Sequence, residues 1–156
     1  MNSHTHFLLP LLCALILFQF NLISWPLAIL AGIIGILIDV DHYVEHILHA
    51  KTNRFSLRAT WNNSIKLHRF QQRSFIHDGI GVVLLTVLMG ISLFFNWQVV
   101  IVAAIGYYSH ILLDYLHLNK ERFLKSKILT FYLRESYFEI TLDIIIILGI
   151  IIVLII

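Results

Sequence analysis

Charged residues are scarce in this chain of 156 residues: Lys, Arg, Asp and Glu together make up 13% of it, about half the share of a typical globular domain. Hydrophobic residues make up 59%, and the mean hydropathy is +0.86. A soluble fold of this size has too little interior to hide that much apolar surface, so lipid is the solvent for much of the chain. Cysteine is nearly absent as well. Cys13, alone and inside an apolar run, rules out an internal disulfide and leaves the redox compartment unreadable. No internal repeat and no low-complexity linker interrupts the sequence, which reads as a single integral membrane domain over 1–156. The N-terminus also lacks the Lys/Arg segment of a signal peptide, and Trp25-Pro26 stands where a small-residue cleavage site would be needed. A second apolar run follows at once, so the first is a retained membrane segment.

Five apolar runs are present, at 7–24, 25–38, 79–95, 97–113 and 140–156. A spanning helix needs roughly 20 mostly apolar residues, and about 17 suffice. Four runs pass on length; the second, 25–38, is short unless it continues past Ile38. The expected fold is an all-α polytopic membrane bundle of four or five transmembrane helices. Asn21 to Pro26 predicts a tight connection with Pro26 in the first turn of the next helix, and Asn96 marks a second tight turn. Ala28, Gly32 and Gly35 form a small-residue face suited to close helix packing. Two polar loops, about 39–78 and 114–139, hold all eleven basic residues. Five spans put both loops on one side, and the positive-inside rule makes that side cytoplasmic, with the N-terminus beside them and the cell membrane around them. The stretch 115–138 mixes Lys and Arg with Phe and Tyr, the composition of a segment lying among headgroups, so membrane lipids are the expected partners. No nucleic-acid partner is expected.

All nine histidines fall at the level of those loops; scattered at random, they would divide between the two faces. His110 and Asp114 stand one helical turn apart on one face, with Tyr107 and His117 continuing the stripe, and such a pair can share a divalent cation. A structural His–Asp hydrogen bond at a helix end is the plainer alternative. Asp39 and Asp41 leave the second run just before His42. If the helix continues, Asp39, His42, His46 and His49 form one stripe, and Asp39 and Asp41 cannot both face inward; one ligates while the other orients a histidine. His46 and His49 fit a solvated amphipathic turn. His77 and Asp78 enter the third run, where Asp78 either caps the helix or serves as a base. Arg73 beside them suits a phosphate oxygen. His6, at the start of the first helix, can lend one more imidazole. Glu139 and Asp143 form a pair one turn apart at the start of the last helix, facing the cluster.

Asp39-Val40-Asp41-His42 after an apolar helix, Arg73-Ser74-Phe75-Ile76-His77 before the next, and Ser109-His110 with Asp114 late in a further helix resemble the YdjM-type family. These are small inner-membrane proteins assigned as metal-dependent hydrolases, and His6 matches the early histidine of their pattern. The likeness extends to Asp114. Ile38 stands where the family has proline, Gln72 where it has the first histidine of the second block, Ser74 where it has glycine and Ile76 where it has threonine; His68 is the nearby residue able to replace that histidine. A more distant likeness links the pattern to zinc-dependent phospholipase C enzymes.

The expected function is a membrane-embedded, metal-dependent hydrolase of a phosphoester at the cytoplasmic interface. His6, Asp39, His42, His77, His110 and Asp114 would hold one or two divalent ions, zinc first from the N/O donor set. Asp41 or Asp78 is the candidate base, Arg73 the residue that steadies the substrate's charge, and a lipid or lipid-linked substrate follows from location. A non-catalytic scaffold with a structural His/Asp cluster is the rival reading. A metal or proton transporter ranks lower, because no carboxylate or histidine lies near the bilayer midplane.

Overall fold

The computed structural model describes residues 3–60, 75–117, 123–128 and 131–156. The helices are α1 (Ser3–Gln19), α2 (Trp25–Leu37), α3 (Val40–His49), a 3₁₀ turn at Phe75–His77, α4 (Gly79–Ser92), α5 (Trp97–His117) and α6 (Tyr137–Ile155). The fold is an all-α membrane bundle carrying one small addition: the strands β1 (Phe123–Ile128) and β2 (Phe131–Ser136) pair antiparallel, in register from Phe123↔Ser136 to Ile128↔Phe131. The sequence reading gave this stretch only as a headgroup-level segment. Its Phe, Ile and Tyr content also favours strands.

Among the described residues three helical stretches are long and apolar enough to cross a membrane: Trp25–His49, Trp97–Leu116 and Tyr137–Ile155; Ser3–Gln19 and Gly79–Ser92 are shorter apolar helices. Two expectations about length change here. The second run does not end its helix at Ile38, because the chain continues through a break into α3. The third run, expected to span, forms a helix of 14 residues, about 21 Å long at 1.5 Å per residue. It ends early because the amides of Phe94 and Phe95 turn back to the carbonyls of Ile91 and Ser92, winding the chain into the Asn96 turn.

The core lies where α1, α2 and α5 meet, around Ala14, Leu15, Ile23, Ala28, Ala31 and Val102. The α1–α2 connection is a Schellman turn. Asn21 takes a left-handed φ of 57°, the Leu22 amide donates to the Leu17 carbonyl at 3.0 Å and the Asn21 amide to that of Phe18 at 2.8 Å. Pro26 then opens α2, its missing N–H being one of the orphans of a first turn. The small face of α2 is buried at Ala28, Ala31, Gly32 and Gly35. A Cβ on Gly106 of α5 would sit 2.7 Å from Ile34 Cγ2 and 2.9 Å from the Ala31 carbonyl, so the two backbones approach as closely as glycine permits.

Two irregularities in the helices shape one end of this bundle. Pro10 inside α1 has no N–H to give the His6 carbonyl. That carbonyl lies against the Cα of Gly35, where any Cβ would collide with it. The second irregularity is the break at Ile38–Asp39. The amides of Asp39, Asp41 and His42 bond three residues back, to Ile36, Ile38 and Asp39, at 3.0, 3.3 and 3.2 Å. This tightened turn rotates the side chains out of the regular helical stripe.

Candidate metal centre

α1 begins, α2 breaks, the 3₁₀ turn closes and α5 approaches its end at the same place, and each delivers ionisable side chains to it. His6 comes from the first turn of α1, Asp39 and Asp41 from the break, His42 from α3, His77 from the 3₁₀ turn, and His110 and Asp114 from α5. His6 and His110 are fully buried, and Asp41 is 8% exposed. Among the described residues three overlapping groups each bring three donor atoms within 4.8 Å of one another: His6, His110 and Asp114; Asp39, His77 and His110; Asp41, His42 and His77.

The hydrogen bonds around His77 and His110 decide which ring nitrogens are free to ligate. His110 Nδ1 lies 2.7 Å from the carbonyl of Gly35. A carbonyl only accepts, so Nδ1 carries the proton. This carbonyl is an orphan of the helix end: an unbroken α2 would pair it with the Asp39 amide, which instead turns to Ile36. His77 Nδ1 lies 2.7 Å from Asp41 Oδ2 and donates to that carboxylate. In the neutral rings both Nε2 atoms are therefore bare lone pairs, and they face each other at 3.0 Å. Two lone pairs at that distance repel unless a metal ion or a proton is shared between them.

The remaining distances fit a cation. His77 Nε2 and His110 Nε2 lie 3.6 and 3.5 Å from Asp114 Oδ2, and His110 Nε2 lies 3.5 Å from Asp39 Oδ1. These separations are too long for hydrogen bonds, which run from about 2.7 to 3.2 Å for N–H···O. Two ligands each about 2.0–2.1 Å from one tetrahedral ion are separated by about 3.4 Å. Buried His and Asp groups that can hold a metal ion are thus assembled at one end of the bundle, with the Asp41–His77 and Gly35–His110 contacts fixing the rings from behind.

His6 stacks on His110 with ring centroids 4.0 Å apart, and its Nε2 lies 3.3 Å from the other oxygen of Asp114. His42 is more open, with its side chain 37% exposed; it stacks on His77 at 5.2 Å and lies 3.8 Å from Asp41 and 3.9 Å from Asp39. The expectation that Asp39 and Asp41 cannot both face inward is corrected here. It assumed a regular helix, and the turn at Ile38–Asp39 aims both carboxylates at the cluster, one toward His110 and one toward the back of His77.

Asp78 is exposed at the start of α4, and its Oδ1 accepts the Gly79 amide at 2.8 Å, so its carboxylate is engaged in capping. Arg73 and His68 lie outside the described residues. His46 is buried rather than solvated, because the chain folds back at Asn53 (φ 54°) and brings its carbonyl to 3.4 Å from His46 Nε2. His49 is exposed. Glu139 and Asp143 lie against the first turn of α1, at Thr5 and His4. Two contributors carried little signal in the sequence. Gly35 stood out only as a small residue, yet its carbonyl sets a tautomer. Tyr107 stood out only as part of a stripe, yet its hydroxyl donates to the Ile76 carbonyl at 2.7 Å and holds the turn that carries His77.

The family model described as YdjM inner membrane protein matches residues 1–124, which include every residue of the cluster and leave α6 outside. No curated protein and no solved structure matches the chain.

Proposed function

The chain belongs to the YdjM inner membrane protein family, and from that membership and the geometry of the cluster we propose that it is a metal-dependent hydrolase acting on a phosphoester at the cytoplasmic face of the membrane. One observation carries the reading: the converging Nε2 lone pairs of His77 and His110, 3.0 Å apart, each with its Nδ1 proton already committed. Such an arrangement is costly unless a metal ion or a proton is shared between the two nitrogens, and the Asp39 and Asp114 oxygens 3.5–3.6 Å away favour the metal. The mixed N/O donor set favours zinc.

His77, His110, Asp114 and Asp39 would hold the ion, with His6 as a further donor beside Asp114. A bound divalent ion would lower the pKa of a coordinated water and polarise the phosphoryl oxygen. Asp41 holds the proton of His77 Nδ1 and keeps Nε2 directed at the centre. His42, the most exposed imidazole in the cluster and flanked by Asp39 and Asp41, is the group placed to take a proton from the attacking water and pass it to the leaving oxygen as the P–O bond breaks. Arg73 remains the candidate for steadying the phosphate charge. Val40, Val44 and Leu48 leave an exposed apolar edge on α3, and the exposed Lys51, Arg54 and Arg58 follow it. That pattern suits a helix at the headgroup level of an anionic leaflet, and so a lipid or lipid-linked substrate.

The test is elemental analysis of detergent-purified protein followed by phosphate release from nanodiscs containing phosphatidic acid, a lipid phosphomonoester. Wild type should carry about one or two zinc or manganese ions per chain. His110→Ala and Asp114→Asn should lose both metal and turnover while remaining folded. Unchanged phosphate release in those variants would remove the mechanism.

A further inference from the structure

α6 contains two charged residues, Glu139 and Asp143, and is otherwise suited to lipid. Carboxylates in a spanning helix are costly enough that their placement calls for a use. Glu139 is fully buried and Asp143 is 8% exposed. Both turn toward α1. Thr5 Oγ1, itself fully buried, donates to Glu139 Oε1 at 3.2 Å, and His4 Nε2 lies 2.9 Å from Asp143 Oδ2. Further along the same seam a Cβ on Gly149 would come within 3.1 Å of Leu12 Cδ2, and the Gln19 amide donates to the Val153 carbonyl. The two helices are thus registered along their whole length, with the polar contacts gathered at the metal end.

The residue after His4 and Thr5 is His6. Its ring is fully buried, and Nδ1 makes no hydrogen bond among the described residues. Unlike His77 and His110, it has no acceptor behind it among those residues to fix its orientation. Its place depends instead on the first turn of α1, the part of a helix most prone to fray, because its amides have no intrahelical partner. Pro10 weakens that turn further by leaving the His6 carbonyl without its usual donor.

We infer that Glu139 and Asp143 are positioning residues for the metal site: through Thr5 and His4 they pin the first turn of α1, so that α6, which lies beyond the family match, completes the coordination by His6. The inference rests on the metal reading of the cluster and adds to it the source of His6's placement.

The test uses Co²⁺ alone as probe, on the full-length protein in detergent. Its visible absorption reports the ligand set, and a titration reports affinity. Thr5→Val and Glu139→Ala should weaken Co²⁺ binding by about 10- to 100-fold, the usual effect of losing an orienting partner, and should reproduce the absorption spectrum of His6→Ala. Thr5→Ser, which keeps the hydroxyl, should retain the wild-type spectrum. In a His6→Ala background Glu139→Ala should add no further loss, because the two changes act through one contact. Equal losses with and without His6 would assign Glu139 a general structural role and overturn the inference, as would wild-type binding in the Thr5 and Glu139 variants. Wild type that takes up no cobalt would overturn the metal reading and this inference with it. Wild type that binds cobalt beside indifferent Thr5 and Glu139 variants would overturn this inference alone. Melting temperatures recorded in parallel separate lost ligation from lost fold.

Discussion

Replacing Asp41 with asparagine tests the orientation argument with least disturbance of shape. Asp41 Oδ2 accepts the His77 Nδ1 proton at 2.7 Å, and the two side chains are 7% and 8% exposed, so water does not readily replace either partner. A hydrogen bond to a charged group contributes about 1.5–3 kcal/mol and a neutral one about 0.5–1.5 kcal/mol. Asparagine keeps an acceptor oxygen but loses the charge, so the difference is about 1–1.5 kcal/mol, and at about 1.4 kcal/mol per tenfold metal affinity should fall roughly 5- to 12-fold. Asp41→Ala removes the acceptor altogether. The ring can then turn its proton to Nε2 and withdraw a ligand, and the loss should approach about 100-fold. Competition titration of Zn²⁺ against a chromophoric chelator measures both. The ordering wild type, Asn, Ala is the essential result. If Asp41→Ala bound zinc as tightly as wild type, the Asp41 contact would not set the His77 tautomer, and the argument from facing lone pairs would fail.

Gly35→Ala should lower the melting temperature and the metal affinity together. Its Cβ would be driven into the His6 carbonyl and to 2.9 Å from Pro10 Cγ, an overpacking of about 1–3 kcal/mol that backbone atoms cannot relieve by swinging aside. Gly90→Ala, with nothing within 4 Å of the added carbon, should instead be neutral or raise stability by up to about 1 kcal/mol, the helix-propensity gain over glycine. Tyr107→Phe removes the bond to the Ile76 carbonyl; it should cost about 0.5–1.5 kcal/mol in thermal unfolding and weaken metal binding by loosening the turn under His77. Asp78→Ala should cost about 0.5–2 kcal/mol as a lost cap and leave metal affinity unchanged, whereas a loss of turnover with metal retained would return Asp78 to the catalytic machinery.

The bundle was legible because composition alone demands lipid, and the His110/Asp114 pair was legible because helical spacing puts residues one turn apart on one face. Both inferences need only the period of the element. What the period could not supply was the place where a helix stops being regular. The Asp39 and Asp41 carboxylates both reach the cluster because the amides of Asp39, Asp41 and His42 bond three residues back instead of four, and nothing in Leu37-Ile38-Asp39-Val40 announces that change. The same limit applies to α4, whose apolar sequence continues beyond the point where its hydrogen bonding turns. His46 was hidden for another reason: its burial depends on a loop folding back at Asn53, a contact set by tertiary structure.

The residues that pack the helices are also the ones that prepare the ligands. Pro10 leaves the His6 carbonyl without a helical donor, and that carbonyl faces Gly35, a position on α2 that has no Cβ. The same Gly35 offers its own carbonyl to His110, because the break after Leu37 has taken away the amide that would have claimed it. Each irregularity is costly within its own helix, and each is offset only when α1, α2 and α5 meet. It follows that the donor geometry cannot exist in the separate helices, and that metal binding should be coupled to their docking. Stripping the ion with a chelator should then lower the melting temperature and returning it should restore it, by an amount that grows with free metal concentration as binding to the folded state alone requires. A melting temperature indifferent to metal would mean that the cluster forms without a cation, leaving the 3.0 Å approach of two imidazole nitrogens to a shared proton.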